Sequence, residues 1–314
     1  MKSLLYRRLQ LATHLLVQGS DAATYLQGQF TNDLRSARGQ PVTYGLWLNQ
    51  KGRVLADSFI LRQGDDHFEV ISLTSSVTVI RPRLEDYIIA DDVTLEDRTE
   101  GAMGWLLVGA DVDSQFHEWG VNPPDVGSFT RQAEGMIFRV RSVAGPNWFV
   151  LPDHSAGAAW STRIADLAPS AGREISADDL AARRIGDGLP EIPLELGPGD
   201  LPNEGGLEHD AVSFTKGCYL GQEVMARLHN LGQVRRRLFV VSFEPDAPDP
   251  AKGAELYAGD KRVGDLRGTA GQESQRIGLA MLHTSFVRSG DRLALTSGGA
   301  ATVQVERIAD GRVR

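Results

Sequence analysis

The sequence predicts an α+β chain that ends in a small antiparallel β-barrel. Up to Gly232, stretches with strand periodicity alternate with stretches that carry helix-start signals. Beyond it, short strand-like runs follow one another, separated by glycine, Asp and Asn, the pattern of a small barrel or sandwich. The boundary falls near residue 232, with an α+β region over 1–232 and a barrel over 233–314. At 314 residues and 41% apolar composition, the chain has material for two or three cores.

Residues 11–18 read as a strand. Ser20 or Asp21 caps a helix over 22–26, which runs into Gln27-Gly28-Gln29-Phe30-Thr31-Asn32-Asp33. Amides and a carboxylate beside a glycine suit a wall that hydrogen-bonds a heteroaromatic ligand. A C-cap glycine with solvated neighbours accounts for the same residues. Residues 42–48, 53–62 and 67–73 form a strand meander, its first turn made by Asn49-Gln50-Lys51-Gly52. Asp57 shares a strand face with Leu55, Phe59 and Leu61, a placement that disfavours solvent. Such a carboxylate is either a structural partner or an acid/base group.

Ser75-Ser76 cap a helix over 77–87 that Pro82 interrupts, and 88–95 returns to extended structure. Residues 105–109, 135–142 and 148–151 read as strands, 156–167 and 176–185 as helices. Residues 189–206 form a long irregular connection with four prolines, a kind of segment that usually carries function or wraps a surface. The barrel strands are expected at 233–243, 254–256, 261–267, 276–282, 292–295 and 301–308.

The one cysteine lies in Lys216-Gly217-Cys218-Tyr219-Leu220-Gly221-Gln222-Glu223. The glycines permit turns, and 222–228 reads as helix, which puts Cys218 at or near a helix N-terminus. There the macrodipole and Lys216 favour thiolate. Three roles stay open for Cys218: a nucleophile or redox thiol, a transient ligand of iron or a cluster, and a small inert core residue. Arg235-Arg236-Arg237 is either a solvated strand face or a receiver of an anion. The seven histidines show no metal-ligand spacing, although His209 and His229 flank the cysteine stretch.

A net charge of −8 offers no general field for nucleic acid, and no nucleic-acid motif is present. One cysteine allows no internal disulfide, as expected of a reducing cytoplasm. No signal peptide is expected at the N-terminus, and no run of 18 apolar residues predicts a membrane span.

The stretch from Lys216 to Glu223, with Arg227 four residues on, resembles the signature of the YgfZ family of folate-binding proteins, in the superfamily of the glycine-cleavage T-protein (aminomethyltransferase). Leu26-Gln27-Gly28-Gln29 with Thr31 and Asp33 is similar to the family's first-helix motif, and Asn49 with Lys51-Gly52-Arg53 to its turn. Arg184, Gly188, Pro190, Pro202 and Glu204 resemble the segment before the cysteine, so the resemblance covers nearly the whole chain.

The resemblance implies two α+β lobes (approximately 20–98, and 1–19 with 99–232) around a central folate channel, closed by the barrel. It implies tetrahydrofolate or a derivative as cofactor, with Gln27, Asn32, Asp57, Arg184, Glu204, Tyr219, Gln222, Glu223 and Arg227 as contacts. Cys218, Lys216 and Asp57 are the implied working residues. Lys216 would tune the thiol, meet a folate glutamate tail, or be a solvated surface lysine. The implied function is a monomeric, non-catalytic accessory factor in assembly or repair of iron–sulfur enzymes, tRNA-modifying ones included. Its partners would be those enzymes or cluster carriers, with transient contact to a cluster.

Two departures separate the chain from aminomethyltransferases. In Arg184-Ile185-Gly186-Asp187-Gly188, Gly186 stands where a ring-binding glutamate is expected, and the paired aspartates of the strand read Ala56-Asp57. A folate-dependent one-carbon transferase remains the second reading, and an RNA-contacting modification factor the third.

Overall fold

The computed structural model describes residues 4–35, 41–153, 156–167, 172–272 and 275–312. Strands β1 (Leu4–Gln10) and β2 (Thr13–Gln18) are separated by two residues yet enter different sheets. The first lobe continues with α1 (Ala22–Gln29), β3 (Val42–Leu48), β4 (Val54–Arg62), β5 (His67–Ser72), α2 (Val77–Glu85) and β6 (Thr94–Asp97). Its five-stranded sheet has the order β3-β4-β5-β2-β6. The second lobe holds β7 (Met103–Val108), α3 (Val112–Glu118), β8 (Phe129–Gln132), β9 (Gly135–Arg139), β10 (Asn147–Pro152), α4 (Gly157–Ala165), β11 (Gly172–Glu174) and α5 (Ala177–Asp187). Its sheet runs β11-β1-β7-β10-β9-β8, with β1 parallel to β11 and antiparallel to β7.

The expected division of the N-terminus is thereby corrected. Residues 1–19 do not go together with 99–232: β1 does, whereas β2 lies between β5 and β6 of the first lobe. β1 itself was not expected, because Arg7 and Arg8 interrupt its apolar pattern although Leu4 and Leu5 are buried. Nor does Pro82 end α2. The helix runs through it to Glu85, started by Ser76, whose Oγ accepts from Thr78 N–H. In α5, Ser76's role is taken by Ser176, whose Oγ accepts from Asp179 N–H, and Gly188 ends the helix at φ 76°.

After α5, the proline-rich connection forms turns and a short 3₁₀ turn, Pro202–Gly205, before α6 (Gln222–Leu231). Strands β12 (Arg236–Phe243), β13 (Glu255–Ala258), β14 (Lys261–Ala270), β15 (Ile277–His283), β16 (Arg292–Ala294) and β17 (Ala301–Ile308) close a barrel in the order β12-β15-β14-β13-β16-β17. Closure leaves the small sheet without a free edge.

Two cores set the site. Phe59, Leu61 and Ile71 of the first sheet pack on Leu106, Phe138 and Phe149 of the second. Leu46, Leu48 and Val54 join Ile192 and Leu196 of the connection, Tyr219 and Met225, and Leu238 and Met281 of the barrel. The three parts of the chain thus meet around β3, β4 and the connection.

Candidate functional site

A cavity of about 290 Å³ lies where the lobes and the connection meet. Its walls mix apolar side chains, Phe59, Leu180 and Ile192 among them, with a few converging polar groups, as small-molecule sites do. Asp57 projects into it from β4. Its carboxylate accepts hydrogen bonds from Tyr44 Oη (2.9 Å), Ser72 Oγ (3.2 Å) and Ser75 Oγ (2.6 Å), and Ser75 Oγ accepts from Asp57 N–H. Burial pushes Asp57 above the ordinary carboxylate range, and the three hydroxyls work against that shift. Burial, and then the Asp57 charge, holds Tyr44 well above the ordinary tyrosine range. Asp57 is therefore a half-buried, hydrogen-bonded carboxylate with an altered proton affinity.

Arg141 and Glu191 line the same cavity, and neither was singled out from sequence. The Arg141 guanidinium lies 4.4 Å from the Tyr44 ring centroid, 3.6 Å from Asp210, and donates to the Gly311 carbonyl. Its Nε is buried without a partner among the described residues. Glu191 is 3.5 Å from Arg184 Nη2, and burial raises its proton affinity. Nothing local marks either residue. Arg141 follows an ordinary strand, and Glu191 sits among prolines.

Arg184 also borders the cavity, but its guanidinium is committed elsewhere. It holds Glu195 at 2.5 and 3.0 Å and donates to Leu189 O at 2.7 Å. The position at which a ring carboxylate was expected lies away from this cavity. A Cβ at Gly186 would meet the Ile277 side chain at 3.6 Å, and Gly186 borders a different cavity, beside Val108 and Asp187. The glycine at 186 therefore says nothing about the Asp57 cavity, and Glu191 supplies a carboxylate there.

The other seven expected folate contacts, Gln27, Asn32, Glu204, Tyr219, Gln222, Glu223 and Arg227, are all absent from the cavity lining. Gln27 donates to Asp33 and accepts from Leu34 N–H. Asn32 donates to Tyr44 O and Asp210 O and accepts from Asp33 N–H. Glu204 accepts from Leu201 N–H and from Arg236. Gln222 accepts from Tyr219 N–H, and the Tyr219 ring is buried in the core. Glu223 and Arg227 are exposed on α6. These polar side chains brace loops against one another. The triple arginine is also engaged in part: Arg236 pairs with Asp200 and Glu204, and Arg237 with Glu208.

The structure brings the first-helix motif and the cysteine stretch together. Lys216 is buried, and its Nζ donates to Gln27 O (2.7 Å), Phe30 O (2.6 Å) and Asn32 O (2.9 Å). Leu220 N–H donates to Gly28 O, and Ser213 N–H to Thr31 O. Gly221, at φ 87°, lies against the Asn49 turn, where a Cβ would come within 2.8 Å of Asn49 O. Between these anchors Gly217 and Cys218 are exposed. Lys216 is thus neither a solvated surface lysine nor a cavity residue. Cys218 lies four residues before the start of α6. His229 stacks on Phe214 of the same stretch (centroids 4.0 Å, 17°), whereas His209 faces Glu208. His154 lies outside the described residues, and among those described no three His, Cys, Asp or Glu side chains cluster to hold a metal ion. No helix of the described residues is long and apolar enough to cross a membrane.

Two lobes that meet at a polar-edged cavity, followed by a closed barrel, define the T-protein fold, here with an exposed thiol on the loop beside α6. Known proteins agree. Residues 10–115 match the GCVT N-terminal domain, and residues 235–309 match the C-terminal beta-barrel domain of CAF17. The glycine cleavage system aminomethyltransferase T of Bartonella henselae superposes with a TM-score of 0.81 at 15% identity, covering 99% of this chain and 87% of that one. The Homo sapiens iron-sulfur cluster assembly factor IBA57, mitochondrial, is 34% identical over 93% of this chain and 81% of its own length. The tRNA-modifying protein YgfZ of Colwellia psychrerythraea is 24% identical over 80% of this chain and 76% of its own. The chain belongs to the family of IBA57 and YgfZ.

Proposed function

We propose that this protein is a tetrahydrofolate-binding accessory factor in the assembly or repair of iron–sulfur enzymes, tRNA-modifying ones included, with Cys218 as its working thiol. The observation that carries the reading is the exposed thiol held between fixed anchors. A single cysteine cannot hold a cluster by itself, so any cluster contact is completed by thiols of a carrier or client protein. The thiol is presented outward, where such a partner reaches it. The human relative is named for iron-sulfur cluster assembly and the Colwellia relative for tRNA modification, which supports this reading.

The cavity suits a folate. Its apolar walls would accept a ring, Glu191 and Asp57 would accept from ring N–H groups, and Arg141, whose Nε lacks a partner among the described residues, would receive a carboxylate. When bound, tetrahydrofolate would supply one-carbon chemistry, and the residues of this chain bind and orient it. The protein acts as a monomer in the cytoplasm on this reading, whereas its human relative is named mitochondrial.

A one-carbon transfer like that of the aminomethyltransferases is the second reading, favoured by the altered proton affinity of Asp57 inside the cavity. Titration with tetrahydrofolate, followed by an aminomethyl donor, separates the two: binding without transfer removes the transferase. For the first reading, Cys218→Ala is expected to abolish rescue of an iron–sulfur enzyme in cells that lack the protein. Full rescue removes Cys218 from the function.

A further inference from the structure

Lys216 sits two residues from the thiol, where a cation would be expected to act on Cys218. Its geometry says otherwise. Burial pushes Lys216 down to about 7, and the three carbonyls facing its Nζ match the protonated amine, which has three N–H donors and no acceptor. All three are taken by main-chain carbonyls, those of Gln27, Phe30 and Asn32, at 2.6–2.9 Å. These carbonyls lie in and just beyond the last turn of α1, the end of a helix where carbonyl groups lack intrahelical donors and the macrodipole is negative. The Tyr219 ring covers the ammonium, 5.2 Å from centroid to Nζ. No proton is left for the thiol or for a ligand in the cavity.

The effect on the loop follows. Lys216 and Leu220 both bond to the end of α1, through Nζ and through N–H to Gly28 O. Tyr219 is buried between them, and its N–H is held by Gln222. The exposed pair Gly217-Cys218 is therefore a short arch with both feet fixed to an element 189 residues away in sequence from Lys216. We propose that Lys216 is the positioning residue of the thiol: it caps α1 from across the fold and so sets where Cys218 is presented. The role rests on the reading of Cys218 as the working thiol, and the clasp itself is independent of folate or cluster.

A guanidinium is planar and spreads its donors in one plane, so it does not match three carbonyls converging on one point. Arginine is thus expected to fail as a substitute along with methionine, which keeps the stem and lacks the charge. The test uses the full chain as wild type, Lys216→Met and Lys216→Arg. Hydrogen exchange of the 213–222 segment is expected to rise at least tenfold in both variants, with β12 and β15 unchanged. The midpoint of the pH profile for Cys218 alkylation is expected to stay in place, while the rate at a fixed thiolate fraction rises at least threefold. An upward shift of that midpoint in Lys216→Met with unchanged exchange would overturn the proposal, because Lys216 would then be acting on the thiol's charge. A role confined to overall stability is also refuting: it lowers the melting temperature and leaves the alkylation rate of the folded protein alone.

Should both variants fail to fold, amine acetylation of the wild type still decides the matter. Lys216 is expected to react at least tenfold more slowly than the exposed Lys51 and Lys252, and equal rates overturn the clasp. None of these measurements involves an iron–sulfur enzyme. A fully active Cys218→Ala would therefore remove the functional reading without touching the clasp, and a free Lys216 would remove the clasp alone.

Discussion

Arg184 was expected to touch folate, and the structure makes it one half of a buried ion pair. Glu195 is 2% exposed and receives two hydrogen bonds from the Arg184 guanidinium. Arg184→Leu leaves that carboxylate buried without its cation, and breaking such a pair from one side costs about 3–5 kcal/mol. In a chain of this size each kcal/mol moves the melting temperature by roughly 2 °C, so a fall of roughly 6–10 °C is expected. The double variant Arg184→Leu/Glu195→Leu removes both charges. It is expected to recover part of the loss, because Leu189 O and Glu191 N–H still lack their partners at about 1–3 kcal/mol each. Thermal denaturation of the four proteins in the cycle measures this. A single variant that melts with the wild type, or a double variant no better than the single, would refute the structural role. A weakened tetrahydrofolate affinity with unchanged melting would return Arg184 to the ligand.

Asp57→Asn is expected to stabilise the protein at pH 7.5. The folded carboxyl titrates above its ordinary value of 3.8, so the folded state binds more protons than the unfolded one just above that pH, and stability is lost as pH rises through this window. The advantage of Asn should shrink towards pH 4, and a constant difference between pH 4 and 7.5 would contradict it. Glu191→Gln is expected to weaken tetrahydrofolate binding about 10- to 100-fold, from roughly 1.5–3 kcal/mol for a hydrogen bond to a charged group, and an unchanged Kd by calorimetry would remove Glu191 from the site. Gly221→Ala forces a side chain into a left-handed conformation against Asn49 O, at a cost of about 1–3 kcal/mol. Its urea midpoint should fall, and a midpoint equal to the wild type's would show that the loop adjusts freely.

Elements were legible in the sequence where local patterns carry them. The β3–β5 meander, the cap at Ser176 and the barrel after Gly232 follow from periodicity, side-chain caps and turn residues. β1 escaped because an edge of its pattern is charged: Arg7 reaches across to Ile175 O, a partner 168 residues away. α2 passes Pro82 because its packing on the first sheet, through Ile80 and Leu84, outweighs one missing hydrogen bond.

The site divides in the same way. The motif residues Gln27, Asn32, Lys216, Tyr219 and Gln222 stood out by composition, and they are indeed adjacent. Most of their polar atoms are spent on partners within the fold, which composition cannot distinguish from waiting for a ligand, while the Tyr219 hydroxyl is buried without a partner among the described residues.

By itself the sequence determined the α+β region with its terminal barrel, the single thiol beside a helix start, and a carboxylate on an apolar strand face at Asp57. Those are properties of residues close in the chain, governed by periodicity, capping and turn geometry. The tertiary structure alone decided that Lys216 serves α1 and not the thiol, that Arg141 and Glu191 line the cavity, and that position 186 faces the barrel. Each of these depends on which main-chain groups lack partners and on how the lobes, the connection and the barrel converge. Donors, acceptors and burial are settled there by contacts more than a hundred residues apart.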